Sequence, residues 1–305
     1  MENLSQPVET IAIPVTIPVK AYLGDHHVSD RVVLPAVEAL RILAETLPAT
    51  EGADPRRQEE AIFSHLLTVD VATREIPAIH ELTHYADGRC RSRLVTIVSG
   101  RQASWKRRVE HASVVFLPEC GGEKAEEGMG GTLLPGPGDA ATPLPGGADE
   151  PPEPVFTIPD QRLYDELVPF GPAYRNVVGD LRLAAGGAWA EVSGGNYPEA
   201  VGSLGSPFPF DAALHAACAW GQRYRGIVAF PVGFDRREIA CPTRAGETYR
   251  CRVVPLSDAG VALCFDILIA CGDGRPAEVI RGVVMRDISG GRRKPPSWVR
   301  EGGEA

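Results

Sequence analysis

Two apolar-periodic segments, one in each half of the chain, predict two principal helices. The first follows Pro35, whose missing backbone N–H has no partner to lose in the first turn of a helix. Four apolar residues then fall on one face of that helix: Val37, Leu40, Leu43 and Ala44. The second segment spans residues 206–220 and has Asp211, a favoured capping residue, at the start of its helix. Each half is therefore predicted to be built around one helix.

Strand-like runs surround both helices, which predicts an α+β fold. Residues 11–20 alternate apolar residues with prolines, as an edge strand or an extended arm does. Residues 48–60 are polar and broken by glycine and proline, which predicts a loop before a strand at 63–71. Two or three strands are predicted over 76–116, with turns at 86–88 and near Gly100, and further strands at 155–158, 177–183, 188–192, 247–255, 261–270 and 279–286.

A change in composition divides the chain into domains. Residues 119–153 are rich in Gly, Pro, Ala and Glu and cannot bury enough apolar surface to form a core, which predicts a linker. The N-terminal domain is therefore predicted at 1–118 and the C-terminal domain at 154–288. The last segment, 289–305, contains Gly-Gly-Arg-Arg-Lys-Pro-Pro and is predicted to be a flexible tail.

Composition narrows the class of protein. With 305 residues, 44% hydrophobic and 23% charged, the sequence is typical of a globular protein. A formal net charge of −9 argues against a general affinity for nucleic acid. The apolar stretches are too short to span a membrane, and the first residues lack the pattern of a secretory leader. Seven scattered cysteines without a C-x-x-C pair predict reduced thiols, so we expect a cytoplasmic protein.

The segment before the first helix carries the candidate chemistry. His26 and His27 lie on an extended stretch that leads to the helix start at Pro35. The unpaired N–H groups of a first helical turn, next to a base, suit reactions in which a carbonyl oxygen becomes negatively charged. Adjacent side chains of a strand point to opposite faces, so only one of the two histidines can face a shared site.

A second histidine pattern points to a different chemistry. His80-Glu81-Leu82-Thr83-His84 matches H-E-x-x-H, the zinc-protease signature, which on a helix brings both histidines to one metal ion. The surrounding sequence predicts a strand, on which the two histidines would be about 13 Å apart at about 3.3 Å per residue. No convincing third ligand follows, so we interpret the match as chance and predict no metal site.

Four motifs, in order, resemble those of dehydratase domains from modular polyketide synthases and animal-type fatty-acid synthases. His26 and Pro35 reproduce H-x(3)-G-x(4)-P with Asp30 at the glycine position. Residues 206–215 resemble H-P-x-x-x-D-x-x-x-Q/H, with Ser206 in place of the first histidine. The remaining two are Leu163-Tyr164 with Phe170-Gly171-Pro172-Ala173-Tyr174, which resembles G-Y-x-Y-G-P-x-F, and Phe230-Pro231-Val232-Gly233-Phe234, which resembles L-P-x-x-F.

This resemblance implies a double hotdog, in which two antiparallel sheets each wrap around a central helix. It further implies a lyase that removes water from a 3-hydroxyacyl thioester to give a 2-enoyl thioester. By analogy with the family, His26 takes the proton from C2 and a protonated Asp211 donates to the departing oxygen. His215 would orient the carboxyl group of Asp211, and the backbone near Asp30 or the helix start at Pro35 would meet the thioester oxygen.

The resemblance also implies the surroundings of the site. An apolar setting would keep Asp211 protonated, and the substrate would be bound by a set of apolar residues. These are Leu34, Phe208, Phe210 and Leu214. The supporting residues from the third motif are Tyr164, Phe170, Gly171 and Pro172.

The implied substrate is carried on the phosphopantetheine arm of an acyl carrier protein, without a further cofactor. Other polyketide synthase domains are implied partners, and so is a second copy of the chain in a homodimer. A run of basic residues over 91–108 is either a solvated sheet face or a docking patch for the acidic carrier. Other functions on the same fold stay open: a cyclase, a double-bond isomerase, a pyran-forming enzyme, or a catalytically silent carrier-binding module marked by Asp30.

Overall fold

A computed structural model describes residues 6–28, 30–48, 52–99, 106–119, 155–256 and 262–301. The first half contains strands β1 (Pro7–Pro18), β2 (His27–Val28) and β3 (Arg31–Val32), helix α1 (Ala36–Glu45), and strands β4 (Ala53–Ile62), β5 (Glu75–Tyr85), β6 (Cys90–Ser99) and β7 (Lys106–Pro118). The second half contains β8 (Phe156–Pro159), the short helix α2 (Asp160–Arg162), β9 (Val177–Ala184), β10 (Gly187–Ser193), α3 (Phe208–Arg225), β11 (Phe230–Ile239), β12 (Thr248–Pro255), β13 (Leu263–Ala270), β14 (Pro276–Arg286) and α4 (Ser297–Glu301).

Twelve of these strands form one antiparallel sheet. Their order is β1-β5-β6-β7-β4-β11-β14-β13-β12-β10-β9-β8, and β2 pairs with β3 as a separate hairpin. The two halves meet where β4 pairs with β11, from Gly233 opposite Ile62 to Glu238 opposite Arg57. The sheet of the first half packs on α1, and the sheet of the second half packs on α3. The predicted α+β fold is confirmed, and its architecture is a double hotdog.

The two central helices form because their apolar residues repeat with the helical period. Helix α1 presents one apolar stripe, in which Leu40 and Leu43 are fully buried, and such burial contributes about 1.5–3 kcal/mol per side chain. Helix α3 is buried from Phe208 through Gln222, so it has no solvated face over that stretch. It ends at Gly226, whose left-handed backbone (φ 65°) lets its N–H bond to the Gly221 carbonyl.

The secondary structure predicted for the segment between α1 and β5 is wrong. Residues 53–62 form strand β4 where a loop was expected, and the strand expected at 63–71 is irregular apart from an isolated bridge between Val33 and Thr68. Strand β4 lies in the middle of the sheet, between β7 and β11. Its backbone is therefore hydrogen-bonded on both sides, and this tertiary pairing outweighs its polar composition.

Residues 289–301, which belong to the segment predicted as a flexible tail, include helix α4. Helix α4 docks against the second half, where Val299 is fully buried and its carbonyl accepts a hydrogen bond from Arg223 at 2.7 Å. The indole of Trp298 donates to Glu166 at 2.5 Å. Of the predicted linker, residues 120–153 lie outside the described residues. No helix in the described part of the chain is long and apolar enough to cross a membrane.

Candidate active site

His26 is held in one tautomer by the backbone. It follows the single-turn 3-10 helix Ala21–Asp25, and its side chain is buried at 9% exposure. Its Nδ1 lies 2.9 Å from the carbonyl oxygen of Val33. Because a carbonyl can only accept, Nδ1 carries the proton and Nε2 is left with a free lone pair. The neighbouring His27 is exposed, as the strand alternation predicts.

Burial sets the protonation state of His26. Loss of solvent lowers the pKa of His26 to about 4, and the negative charge of Asp211 opposes this shift only in part. The imidazole is therefore neutral near pH 7 and can act as a proton acceptor.

Asp211 belongs to a buried polar chain. The hydroxyl of Tyr164 accepts hydrogen bonds from the backbone N–H groups of Asn176 at 2.9 Å and Val177 at 2.8 Å. Its own proton is therefore directed to His215 Nδ1, 3.3 Å away. His215 consequently carries its proton on Nε2, which lies 3.1 Å from Asp211 Oδ2.

One carboxylate oxygen of Asp211 is buried beside His215. The contact with His215 is not aligned as a hydrogen bond, and Oδ2 has no hydrogen-bond partner among the described residues. Asp211 lies in the first turn of α3 rather than at its cap, which is Pro207. A buried polar atom without a partner is rare in folded proteins and is typical of a functional site.

Phe170 links the histidines of the two halves. Its ring stacks on His26 with centroids 4.4 Å apart and planes 19° apart, and it contacts His215 with centroids 4.9 Å apart. Tyr174 packs edge-on against His26 with centroids 5.0 Å apart. The aromatic rings thus hold the imidazole of the first half against the second half.

A cavity of about 490 Å³ contains the groups predicted to react. It is lined by residues of both halves and is mainly apolar. Of the predicted site residues, the lining includes His26, Leu34, Phe170, Asp211, Leu214 and His215. Ala36 also lines it, so helix α1 starts at the cavity wall.

Phe208 and Phe210, which the sequence predicts to bind substrate, are not among the residues that line this cavity. On α3, the residues that face the cavity repeat at i, i+3, i+4 and i+7: Asp211, Leu214, His215 and Cys218. Phe208 packs on Tyr22 in the core, and Phe210 packs on Phe234. The two phenylalanines fall on other faces of the helix and stabilise the fold instead.

The other supporting residues act at a distance from the cavity. Asp30 is exposed, with a left-handed φ of 60°, the backbone conformation that a glycine adopts most easily. Because Asp30 does not line the cavity, the start of α1 after Pro35 is the better-placed of the two predicted oxygen-binding positions. Gly171 and Pro172 begin the 3-10 turn Pro172–Tyr174, which follows Phe170.

Asp25 is a positioning residue that the sequence analysis missed. Its carboxylate accepts from the Ala173 N–H, and its carbonyl accepts from the Gly171 N–H, each at 2.8 Å. A Cβ at position 171 would collide with the Asp25 side chain, which explains the glycine there. The only signal was an acidic residue directly before His26, and nothing in the sequence linked it to residues 171–173.

The H-E-x-x-H match lies on strand β5, as predicted. The side chain of His80 points into the core and bonds Thr46 Oγ1 through Nδ1 at 2.8 Å. Within the described part of the chain, no three metal-ligating side chains cluster together.

Comparisons with known proteins identify the fold. No protein-family model matches the sequence, and no curated protein matches it. The dehydratase domain of a mycocerosic acid synthase-like polyketide synthase matches at 16% identity and a TM-score of 0.67, over 93% of this chain and 95% of that one. The dehydratase domain of PpsC from Mycobacterium tuberculosis, in complex with C12:1-CoA, matches at 21% identity and a TM-score of 0.61, over 93% and 97%.

A third solved structure adds a second activity to the comparison. The bifunctional dehydratase-cyclase domain in ambruticin biosynthesis matches at 18% identity and a TM-score of 0.62, over 91% of both chains. The chain therefore has the double-hotdog fold of polyketide synthase dehydratase domains along nearly its whole length. The resemblance predicted from the four motifs is confirmed at the level of the fold.

Proposed function

We propose that this protein removes water from a 3-hydroxyacyl thioester to give a 2-enoyl thioester in polyketide or fatty-acid-like biosynthesis. One observation carries the proposal: His26 from the first half and Asp211 from the second half line the same apolar cavity. Eliminating water needs a base for the C2 proton and an acid for the leaving hydroxide, and these two residues are of the required types. The fold shared with known dehydratase domains supports the same reaction.

His26 is the proposed base. Its Nε2 takes the C2 proton, the C2–C3 double bond forms, and the C3–O bond breaks. The Val33 carbonyl keeps the Nδ1 proton in place, so Nε2 is the atom that accepts. Burial lowers the pKa of His26, so the base is already unprotonated when the substrate arrives.

Asp211 is the proposed acid. In its protonated form it gives its proton to the departing oxygen, which leaves as water. The imidazolium of His26 and the carboxylate of Asp211 remain as an ion pair, and transfer of the proton between them restores the starting state. His215, held in its Nε2–H tautomer by Tyr164, lies with Nε2 3.1 Å from Asp211 Oδ2 and stabilises the negative charge that Asp211 gains when its proton leaves.

The start of α1 is the proposed site for the thioester oxygen. Negative charge grows on this oxygen as the C2 proton leaves. The helix begins at Ala36, which lines the cavity, and the N–H groups of a first turn have no acceptor within the helix. These donors, with the positive end of the helix dipole, stabilise the enolate-like state.

The proposed partner is an acyl carrier protein that presents the substrate on phosphopantetheine, and the reaction needs no metal or redox cofactor. Other domains of a polyketide synthase would supply the 3-hydroxyacyl chain and use the product. Homodimer formation is part of the same proposal.

The test is incubation with 3-hydroxyacyl pantetheine thioesters, followed by mass spectrometry and by absorbance of the conjugated enoyl thioester. Dehydration predicts loss of one water together with the new absorbance. If the 3-hydroxyacyl thioester is unchanged but a 2-enoyl thioester exchanges protons at C2 and C4, isomerisation would replace the proposal. Loss of one water without the new absorbance, on a chain with a second hydroxyl, would identify ring closure onto C3, and no change with any substrate would favour a silent binding module.

A further inference from the structure

An outer pocket of about 460 Å³ adjoins the cavity that contains His26. Four apolar residues line both spaces: Val28, Leu66, Phe230 and Ile288. The two spaces therefore adjoin along these four residues. We refer to this outer pocket as the mouth of the cavity.

The mouth is strongly basic in a protein with a net charge of −9. Arg31, Arg292 and Arg293 line it, together with Ser289 and the four apolar residues. Among the described residues that line the mouth, none is acidic. Three guanidinium groups around an apolar throat suit an elongated ligand that has an anionic group at its outer end.

A structured turn holds two of these arginines at the mouth. The Asp287 carboxylate accepts from the N–H groups of Ser289 and Gly291, both at 2.6 Å. The Ser289 hydroxyl accepts from the Arg293 N–H at 3.0 Å, and the Ser289 carbonyl accepts from Arg292 Nε at 2.8 Å. The turn is thus positioned before any ligand binds, which reduces the entropy cost of binding.

The turn is also anchored at both ends. Strand β14 leads into it, and the docked helix α4 follows it. The guanidinium of Arg293 lies over the ring of Phe230, 5.6 Å from its centroid, which fixes the direction of its side chain. Arg292 uses one of its five N–H donors for Ser289, and its side chain is exposed and lines the mouth.

Three arginines of the basic run over 91–108 are weaker candidates for an anion, because each has an acidic neighbour. Arg91 pairs with Glu60 at 2.6 Å, and Arg93 lies 3.5 Å from Glu81, which also pairs with Arg108. This face is a network of ion pairs. The mouth differs because its described lining contains Arg31 and Arg292 together with apolar residues and Ser289, and contains no acidic residue.

We propose that Arg31, Arg292 and Arg293 bind the phosphate at the end of the arm that carries the thioester. This inference rests on the proposed function, because it assumes that an acyl thioester enters through the mouth. The apolar throat takes the neutral pantetheine portion, and the arginines form charge-assisted hydrogen bonds with the phosphate. The phosphate then sets how deeply the arm enters, and so places C2 at His26.

The test compares two substrates that differ only in the phosphate. We expect kcat/KM for a 3-hydroxyacyl phosphopantetheine to exceed that for the matching pantetheine thioester by about 10-fold at low salt. This ratio should fall toward one in Arg31→Gln and Arg292→Gln and in the double variant. It should also decline with rising salt in the wild type.

Arg275→Gln is the matched control. Arg275 is 78% exposed and directly precedes β14, at the opposite end of that strand from the turn. An 11-residue strand separates the two sites by about 35 Å at about 3.3 Å per residue. The control should keep the wild-type ratio, and a ratio near one in the wild type would overturn the proposal.

A binding measurement separates this proposal from the proposed function. Calorimetry with S-alkyl phosphopantetheine and S-alkyl pantetheine thioethers needs no turnover. If no thioester reacts but the phosphate still improves binding through Arg31 and Arg292, the proposed reaction fails and the phosphate site stands. If phosphate gives no advantage in binding, or the variants do not reduce it, the phosphate site is wrong.

Measurements with a carrier-protein substrate show whether the phosphate that the arginines bind belongs to the arm of the carrier. If Arg31→Gln and Arg292→Gln slow turnover of a 3-hydroxyacyl carrier protein by the same factor as that of the phosphopantetheine thioester, the arginines bind the phosphate of the arm. Equal wild-type kcat/KM for the acyl-CoA and the phosphopantetheine thioester would support recognition of that one phosphate. A carrier-protein substrate that is insensitive to both variants would contradict the proposal.

Discussion

The carboxylate of Asp25 accepts a hydrogen bond from the backbone N–H of Ala173 at 2.8 Å, and so joins the two halves of the molecule next to His26. These residues are 148 positions apart in the chain. The bond fixes the turn that follows Phe170, whose ring stacks on His26. The environment of a base in one half is therefore determined by a loop of the other half.

Asp25→Ala should separate this turn from His26. We expect a loss of about 1–3 kcal/mol in the free energy of unfolding, because the buried Ala173 N–H loses its acceptor. Asp25→Asn keeps an acceptor oxygen and should retain most of the stability. Denaturant unfolding measures both variants, and equal losses would show that the hydrogen bond is not the cause.

The same variants test whether Asp25 positions His26. In Asp25→Ala the loosened Phe170 stack should let water reach the imidazole, which raises the pKa of His26. The acid limb of the kcat/KM profile should therefore move to higher pH. Asp25→Asn should keep the wild-type profile. A purely structural residue would change the stability and leave this limb in place.

Tyr164→Phe should impair both stability and turnover. The hydroxyl accepts two backbone N–H groups and donates to His215, so its removal should cost about 2–3 kcal/mol. His215 would no longer be held in one tautomer, and we expect kcat to fall by about 10-fold. Tyr249→Phe is a matched control, since its hydroxyl also accepts a backbone N–H but donates to Glu247 rather than to His215. The control should lose stability without the fall in kcat, and equal falls would contradict the role of Tyr164.

Asp30→Gly should introduce the glycine of the H-x(3)-G-x(4)-P motif with little effect on stability. The backbone of Asp30 is left-handed, with a φ of 60°, which glycine adopts without strain. We expect unchanged or slightly higher stability and unchanged kcat, because Asp30 does not line the cavity. Asp30→Val should cost about 1–2 kcal/mol, since a β-branched residue is strained there. Equal melting temperatures of Asp30→Gly and Asp30→Val would contradict a left-handed backbone at position 30.

His26 should make the protein less stable in mild acid. Burial lowers the pKa of His26 to about 4, whereas an unfolded histidine titrates near about 6.5. Between these values the unfolded chain binds a proton that the folded chain does not, so stability falls as the pH drops from about 6.5 toward about 4. From pH 7 to about pH 5 this contribution is about 2 kcal/mol.

His26→Gln should remove that contribution. Because burial also lowers the pKa of His80 to about 4, the wild type and the variant share the contribution of His80, and their difference isolates His26. We expect urea unfolding to show the variant losing less stability than the wild type over this pH range. Parallel losses would mean that His26 is not desolvated in the folded protein.

Local patterns predicted those elements that have a clear period. Helices α1 and α3 appear where apolar residues repeat every three or four positions, and most strands appear where they alternate. Strand β4 was missed because its pairing on both sides comes from distant parts of the chain. The turn at 287–293 was missed because its order depends on the Asp287 carboxylate and on the docking of α4.

The candidate site shows the same contrast between local patterns, which could be predicted, and long-range contacts, which could not. His26 and Asp211 could be named from motif spacing, since each motif is local. Phe208 and Phe210 were assigned to the substrate because they are apolar and close to Asp211 in sequence, yet the helical period turns them away from it. Asp25 could not be found, because its role is a hydrogen bond to a residue in the other half of the chain.

The most direct test of the account is the mass of a 3-hydroxyacyl thioester after incubation with the wild type, His26→Ala and Asp211→Asn. The account predicts loss of one water with the wild type and about 100-fold or slower loss with each variant, since each removes one of the two proton-transfer groups. Both variants should keep the fold, as judged by circular dichroism. Water loss at the wild-type rate in either folded variant would contradict a mechanism that needs a base from one half and an acid from the other.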